Sequence, residues 1–389
     1  MAHPVFANLP TTVFEEMSGL ARELGAINLG QGFPDDPGPL AIRRKAADEV
    51  LNGYNQYPPM AGLPGLREAV ARHYRGQGLD LDWRAEVTVT SGATEALAAT
   101  FLALVRPGDE VVVFQPVYDA YLPLIRRAGG VPRLVSLSPP HWRFDRAMLE
   151  AAFTPRTRFV VLNNPINPAG VVLPREDLEL LAELCVAHDT VAICDEVWEQ
   201  VVFDQALHIP LMSLPNMRGR TVKIGSAGKM FGLTGWKVGF LCAAPDLTHA
   251  LARAHQFLTF TTPPNLQAAV AFGLDEPGDW FTAMPAGLQR SRDRLAAGLR
   301  AEGFRVLASQ GTYFLNVDLA ASGVTEPDRA FALRAVKQAG VAAIPVSALY
   351  EADPVTSILR LCFSKADATL DAGIARLAKA RDLSRKAVP

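Results

Sequence analysis

Lys229 stands in the run Gly225-Ser226-Ala227-Gly228-Lys229-Met230, whose small residues predict a tight, exposed turn presenting one amine. An amine placed this way can clamp a phosphate or condense with an aldehyde. A Walker A loop requires glycine at position 223 and Ser or Thr at position 230, where the chain has Lys223 and Met230. The remaining reading is a lysine that holds an aldehyde cofactor as an imine. Asp195 closes the apolar run Val191 to Cys194. A carboxylate there is costly unless it caps the next segment or meets a cation such as a protonated ring nitrogen. Within Asn163-Asn164-Pro165-Ile166-Asn167-Pro168-Ala169-Gly170 two prolines stiffen the backbone and fix the aim of the Asn167 amide. Ser91-Gly92-Ala93-Thr94-Glu95 opens a helix, as an ordinary cap or as a phosphate cradle with Ser91 and Thr94 as further donors. Tyr118 follows a strand, as a core side chain or as a ring that stacks on a flat cofactor.

Composition narrows the classes. A chain of 389 residues suggests two domains, at roughly 100–200 residues each. Lys and Arg total 38 against 40 Asp and Glu, a balance that implies no field for nucleic acid or an anionic membrane. The ligand is therefore expected to be small. The apolar stretch Ala96 to Val105, bounded by Glu95 and Arg106, reaches about half of the roughly 20 residues a membrane helix needs. The start, with His3, Pro4 and Pro10, lacks a signal-peptide pattern, so a soluble cytoplasmic protein is expected. Cys185, Cys194, Cys242 and Cys362 are isolated and read as reduced core residues. No H-E-x-x-H or G-x-S-x-G motif occurs, so no metal is expected and a serine hydrolase is disfavoured.

These residues need a scaffold. Glu86-Thr90, Val111-Phe114, Val131-Val135, Arg158-Asn163, Val191-Asp195, Val222-Gly225 and Val238-Cys242 read as strands. Helical stretches from Ala93 to Val105, Tyr118 to Ala128 and Arg175 to His188 alternate with them. The pattern predicts an α/β fold with a mostly parallel, doubly wound sheet, whose ligand sits beyond the carboxyl ends of the strands. After Pro263 a long helix from Trp280 to Glu302 and strands near Thr312-Asp318, Val341-Ile344 and Ile358-Phe363 predict a smaller α+β domain. The expected division is 1–40 as a segment without sheet pattern packing on the small domain, 41–275 as the large domain and 276–389 as the small one.

The chain resembles the class I/II aminotransferases, pyridoxal 5′-phosphate enzymes of fold type I, over essentially its whole length. It is most similar to the kynurenine, glutamine and methionine aminotransferase group. The likeness rests on Ile27 to Asp35, Asn55-Gln56-Tyr57, Asn163 to Gly170, Cys194-Asp195-Glu196-Val197, Ser226 to Lys229, Thr234 to Gly239 and Arg360-Leu361-Cys362-Phe363. It implies that Lys229 holds the cofactor and later carries the proton between the substrate and the cofactor. Asp195 would keep the pyridine nitrogen protonated, Asn167 would bond the phenolic oxygen and Tyr118 would stack on the ring. Ala93, Thr94, Ser226 and Lys237 would cup the phosphate, and Tyr57 would reach it from a neighbouring subunit, which implies a homodimer. Arg360 would grip the substrate carboxylate, helped by Asn167 and the Gly32 backbone; without the resemblance it reads as a snorkelling edge residue.

The chain departs from the family at Trp198, where a tyrosine bonding the phenolic oxygen is usual. Phe14, Phe33, Tyr118 and Tyr350 are the expected side-chain pocket, favouring aromatic, methionine-like or glutamine-like donors over a second carboxylate. The expected activity is a two-half-reaction transfer from an L-amino acid to a 2-oxo acid. The alternatives are a cysteine-conjugate β-lyase and an N-succinyldiaminopimelate aminotransferase. An aminotransferase-like regulator is disfavoured because the N-terminus is too short for a winged helix.

Overall fold

The computed structural model describes residues 3–7 and 9–386. Residues 1–2 and 387–389, the outer ends of the first and last expected segments, lie outside it. Short runs rich in Val and Ile form the central layer, and most are apolar on both faces because helices cover both sides of the sheet. β1 (Ile27–Asn28) comes first in the chain, and the main sheet follows with β2 (Val87–Thr90), β3 (Glu110–Gln115), β4 (Val131–Ser136), β5 (Thr157–Asn163), β6 (Val191–Asp195), β7 (Thr221–Ser226) and β8 (Gly239–Cys242). Its order is β2-β8-β7-β6-β5-β3-β4. β8 runs antiparallel to both neighbours and the other pairings are parallel. The seven-stranded, mostly parallel sheet expected of the α/β fold is present.

β9 (Arg305–Val306), β10 (Phe314–Asp318), β12 (Ile344–Pro345) and β13 (Ile358–Cys362) make a second sheet in the order β12-β13-β10-β9, and β11 (Val341–Ala342) pairs in parallel with β1. The first forty residues do contribute a strand, then. Two residues are too few to show an alternation of side chains. One apolar core joins Met17 of helix Val13–Leu24, Leu295 of helix Trp280–Ala301, Phe331 and Leu361.

The helix expected from Tyr118 begins at Tyr121 and ends at Arg127. Pro123 is the reason: its nitrogen has no hydrogen to donate, so it is tolerated only in a first turn. Tyr118 is left in the preceding loop.

Candidate active site

Helix Gly92–Leu104 follows β2, and the Ser91 hydroxyl pairs with Thr262 at 3.1 Å instead of capping it. Its first turn opens into a cavity of about 380 Å3, which Gly92, Ala93 and Thr94 line together with Ser226 and Lys237. Two glycines make this corner. Gly92 has φ +79°, and a Cβ there would lie 3.2 Å from Lys237 Nζ. A Cβ on Gly239 would lie 2.7 Å from the Gly92 carbonyl carbon, so β8 approaches the helix start only because that residue has no side chain. Free N–H groups, a hydroxyl and an ammonium converge as a phosphate monoester requires.

At the opposite end, β6 delivers Asp195, which is 5% exposed. The Tyr121 hydroxyl donates to its Oδ2 at 2.5 Å, whereas Oδ1 is buried without a partner. Burial raises the proton affinity of this carboxyl, and the Tyr121 hydrogen bond works against that. A buried acceptor of this kind fits a ligand N–H. Asn163 links the neighbouring loops by donating to the Asp195 carbonyl at 2.9 Å and accepting from the Asn167 N–H at 2.8 Å.

Lys229 lies on the short helix Ala227–Met230 that follows β7. It is half-buried, not on an exposed turn, because the residues on both sides of it are packed. Its Nζ lies 3.0 Å from the Tyr313 hydroxyl and 4.7 Å over the Trp198 ring. Burial pulls the amine down to about 8, the Cys362 and Asp195 charges oppose this, and Arg360 and Lys237 add to it. A group that must be neutral to act as a nucleophile or base gains from that shift.

β13 carries Arg360 into the cavity at 1% exposure. Its Nη1 donates to Asn167 Oδ1 at 2.9 Å and its Nη2 to the Gly30 carbonyl at 2.8 Å, with the guanidinium 3.8 Å from the Phe314 ring centre and 5.0 Å from Phe14. Burial lowers it to about 10, which leaves it charged at neutral pH. Asn28 shapes the loop below by accepting from the Gly30 and Gln31 N–H groups.

The cavity thus gathers Phe14, Gly32, Ala93, Thr94, Tyr118, Asn167, Asp195, Trp198, Ser226, Lys229, Lys237 and Arg360. Phe33 and Tyr350 do not line it. Phe33 lies 42% exposed under the Lys365 ammonium, and Tyr350 packs against the core cluster that includes Phe114, Leu137 and Phe144, with its hydroxyl on the Leu137 carbonyl. Tyr57 is 82% exposed, outside its own cavity, with its ring edge-on to Phe260. Tyr121, Asn163, Asp119 and Tyr313 were missed by sequence reasoning. Asn163 heads the Asn163 to Gly170 motif and Asp119 adjoins Tyr118, whereas Tyr121 and Tyr313 are brought in only by the fold.

Beneath the site, buried Lys223 on β7 lies between Glu196, at 2.6 Å, and Glu199, at 2.5 Å, and the Tyr74 hydroxyl donates to Glu199 at 2.7 Å. Burial works against the Lys223 charge, but the two carboxylates outweigh it and raise its proton affinity.

Residues 25–377 match the family model for aminotransferase class I and II. The chain belongs to the class I and II aminotransferases. It is 44% identical over 379 residues to a probable N-succinyldiaminopimelate aminotransferase of Mycobacterium tuberculosis, covering 94% of this chain and 95% of that one. With the methionine aminotransferase of Escherichia coli it shares 41% over 371 residues, covering 95% and 96%. The solved structure of the M. tuberculosis N-succinyldiaminopimelate aminotransferase superposes with a TM-score of 0.95 at 43% identity, covering 98% of this chain and all of that one. This aminotransferase is accordingly an enzyme, a transaminase. No helix among its described residues is long and apolar enough to cross a membrane.

Proposed function

We propose that this aminotransferase uses pyridoxal 5′-phosphate, held through Lys229, to move the amino group of an L-amino acid with an apolar, aromatic, thioether or amide side chain to a 2-oxo acid. The observation that carries the reading is the meeting, in one cavity, of a lysine lowered to about 8, an anion cradle, an unpartnered Asp195 oxygen and a buried arginine. The cofactor, when bound, supplies an electron sink for the bonds at the substrate α-carbon. Ala93, Thr94, Ser226 and Lys237 hold its phosphate, Asp195 holds its ring nitrogen, and Asn167 is placed for its phenolic oxygen. Tyr118, in the loop before its helix, offers a ring face. Arg360 receives the substrate α-carboxylate, with Asn167 and the Gly32 backbone beside it. Lys229, once released, would take the proton from the substrate α-carbon and carry it to the cofactor. Tyr121 steadies Asp195.

We further infer a homodimer. Leu51, Tyr54, Tyr57 and Phe257 are each at least 74% exposed. Side chains of this kind cover one another in a subunit interface, and Tyr57 then reaches the partner's phosphate. The large domain is taken as 41–275 and the small domain as 276–389, with 1–40 packing on the latter.

A second reading, N-succinyldiaminopimelate as donor, is favoured by the 44% identity to the M. tuberculosis relative. Asp119 argues against it, because its half-buried carboxylate lines the cavity and disfavours further acidic groups. The test is to load the purified chain with pyridoxal 5′-phosphate and add amino acids one at a time while following the visible band. Methionine, glutamine or an aromatic amino acid should bleach it. Bleaching by N-succinyldiaminopimelate alone would establish the second reading, and pyruvate release would reveal β-elimination.

A further inference from the structure

The loop Gly30 to Gly32 takes donors on two of its carbonyls: Arg360 Nη2 at Gly30, 2.8 Å, and the Tyr313 hydroxyl at Gly32, 2.6 Å. A phenol has one proton to donate. With that proton on Gly32, the Tyr313 oxygen faces Lys229 Nζ as an acceptor, 3.0 Å away. This is the single side-chain hydrogen bond of Lys229 among the described residues. The Tyr313 ring is held from both sides, edge-on to Trp198 with centroids 4.4 Å apart and 5.1 Å from Phe314. Lys229 lines both the first cavity and a second of about 530 Å3, which Tyr313, Trp280, Met284 and Lys365 also bound, so its side chain stands between two open spaces.

We propose that Tyr313 is a positioning residue that docks the free amine of Lys229 and ties it to the same backbone loop that Arg360 grips. Such a dock is needed whenever the lysine is not bonded to the cofactor, because a loose alkylammonium samples many rotamers and would enter the second cavity. It rests on the reading of Lys229 as the cofactor lysine. The charged and titratable groups facing Lys229 are Cys362, Asp195, Arg360, Lys237 and Tyr313 itself. Removing the phenol oxygen leaves every one of the other charges in place. An acceptor favours the ammonium, with its three N–H groups, over the neutral amine, so its loss lowers the pH at which Lys229 gives up its proton. A nitrogen bonded to the cofactor has fewer hydrogens to donate and gains less from the dock.

The experiment compares the full chain with Tyr313→Phe, first stripped of cofactor and then loaded. Acylation of Lys229 by acetic anhydride, read by peptide mass spectrometry across pH, reports the free amine. The midpoint should fall by about one pH unit in the variant. In the loaded enzyme the apparent affinity for an amino acid that frees Lys229 should fall by about tenfold. An unchanged acylation midpoint overturns the proposal even if activity drops. Should Tyr313→Phe fail to fold, Tyr313→Met fills much of the same space without a hydroxyl acceptor, and the midpoint should fall in the same direction; no shift overturns the proposal. Failure of Lys229 to capture the cofactor in the unaltered chain would instead sink the proposed function and leave the acylation result readable.

Discussion

Arg360→Lys keeps a positive charge near the substrate carboxylate but gives up the fork. The guanidinium is 1% exposed, spends one N–H on Asn167 Oδ1 at 2.9 Å and one on the Gly30 carbonyl at 2.8 Å, and leaves Nε buried without a partner. A bidentate carboxylate can therefore be received on N–H groups already aimed by the protein. An ammonium on a flexible stem offers one such bond at a time. Losing one hydrogen bond to a charged group costs about 1.5–3 kcal/mol, or about tenfold to 150-fold in affinity. Arg360→Met, which leaves the ligand carboxylate buried with no cation, should cost about 3–5 kcal/mol. The assay is an amino-acid titration of the loaded enzyme, followed by its visible band. The control ligand is the amine that lacks only the carboxylate, which should bind the enzyme and both variants equally well. The reasoning fails if Arg360→Lys binds the amino acid as tightly as the parent. It also fails if the amine weakens as much as the amino acid, since Arg360 would then be supporting the fold and not reading a carboxylate.

Other expectations follow from the same structure. Burial lowers the Lys229 amine to about 8, so the neutral form is gained as pH rises through that value; capture of cofactor by the stripped chain should rise to a plateau with its midpoint near 8, and a midpoint close to the ordinary lysine value of 10.5 would contradict this. Lys223→Met leaves the Glu196 and Glu199 carboxylates, each 1% exposed in its side chain, without their cation, at a cost of about 3–5 kcal/mol. The melting temperature should drop by several degrees, and an unchanged melt refutes the ion-pair account. Trp198 lies under Lys229 where the family usually offers a tyrosine hydroxyl. Trp198→Tyr should lower the midpoint of the visible-band pH titration of the loaded enzyme, and an identical midpoint would show that the hydroxyl makes no difference here.

The sequence was most informative where one strand end and one motif define a position. Lys229, Asp195 and Asn167 each lie just past a strand read from the sequence, where a doubly wound sheet presents its ligand, and that they meet around one cofactor was implied only by the resemblance to the family. Tyr121 was not legible, because its partner Asp195 lies 74 residues further along the chain, and a tyrosine among apolar residues reads as core. Tyr313 enters the site from the turn just before β10, and nothing local in that turn points to an amine 84 residues away. The expected side-chain residues divide for a similar reason: Phe14 and Tyr118 line the cavity, and Phe33 and Tyr350 do not. Composition marks Phe33 and Tyr350 as large aromatics, but their direction is set by Lys365 and by the Leu137 carbonyl, contacts that only the folded chain provides. Trp198 was noticed as a departure; that it packs edge-on to Tyr313, and so shares the lysine with it, came from the geometry.

The most direct test of the account is to load the full chain with pyridoxal 5′-phosphate, reduce it with borohydride, digest it and find the modified lysine by mass spectrometry. The cofactor mass should appear on Lys229, while Lys237, in the anion cradle, and Lys223, locked between two carboxylates, stay unmodified. A tag on either of those lysines, or no tag on Lys229, would contradict the central claim.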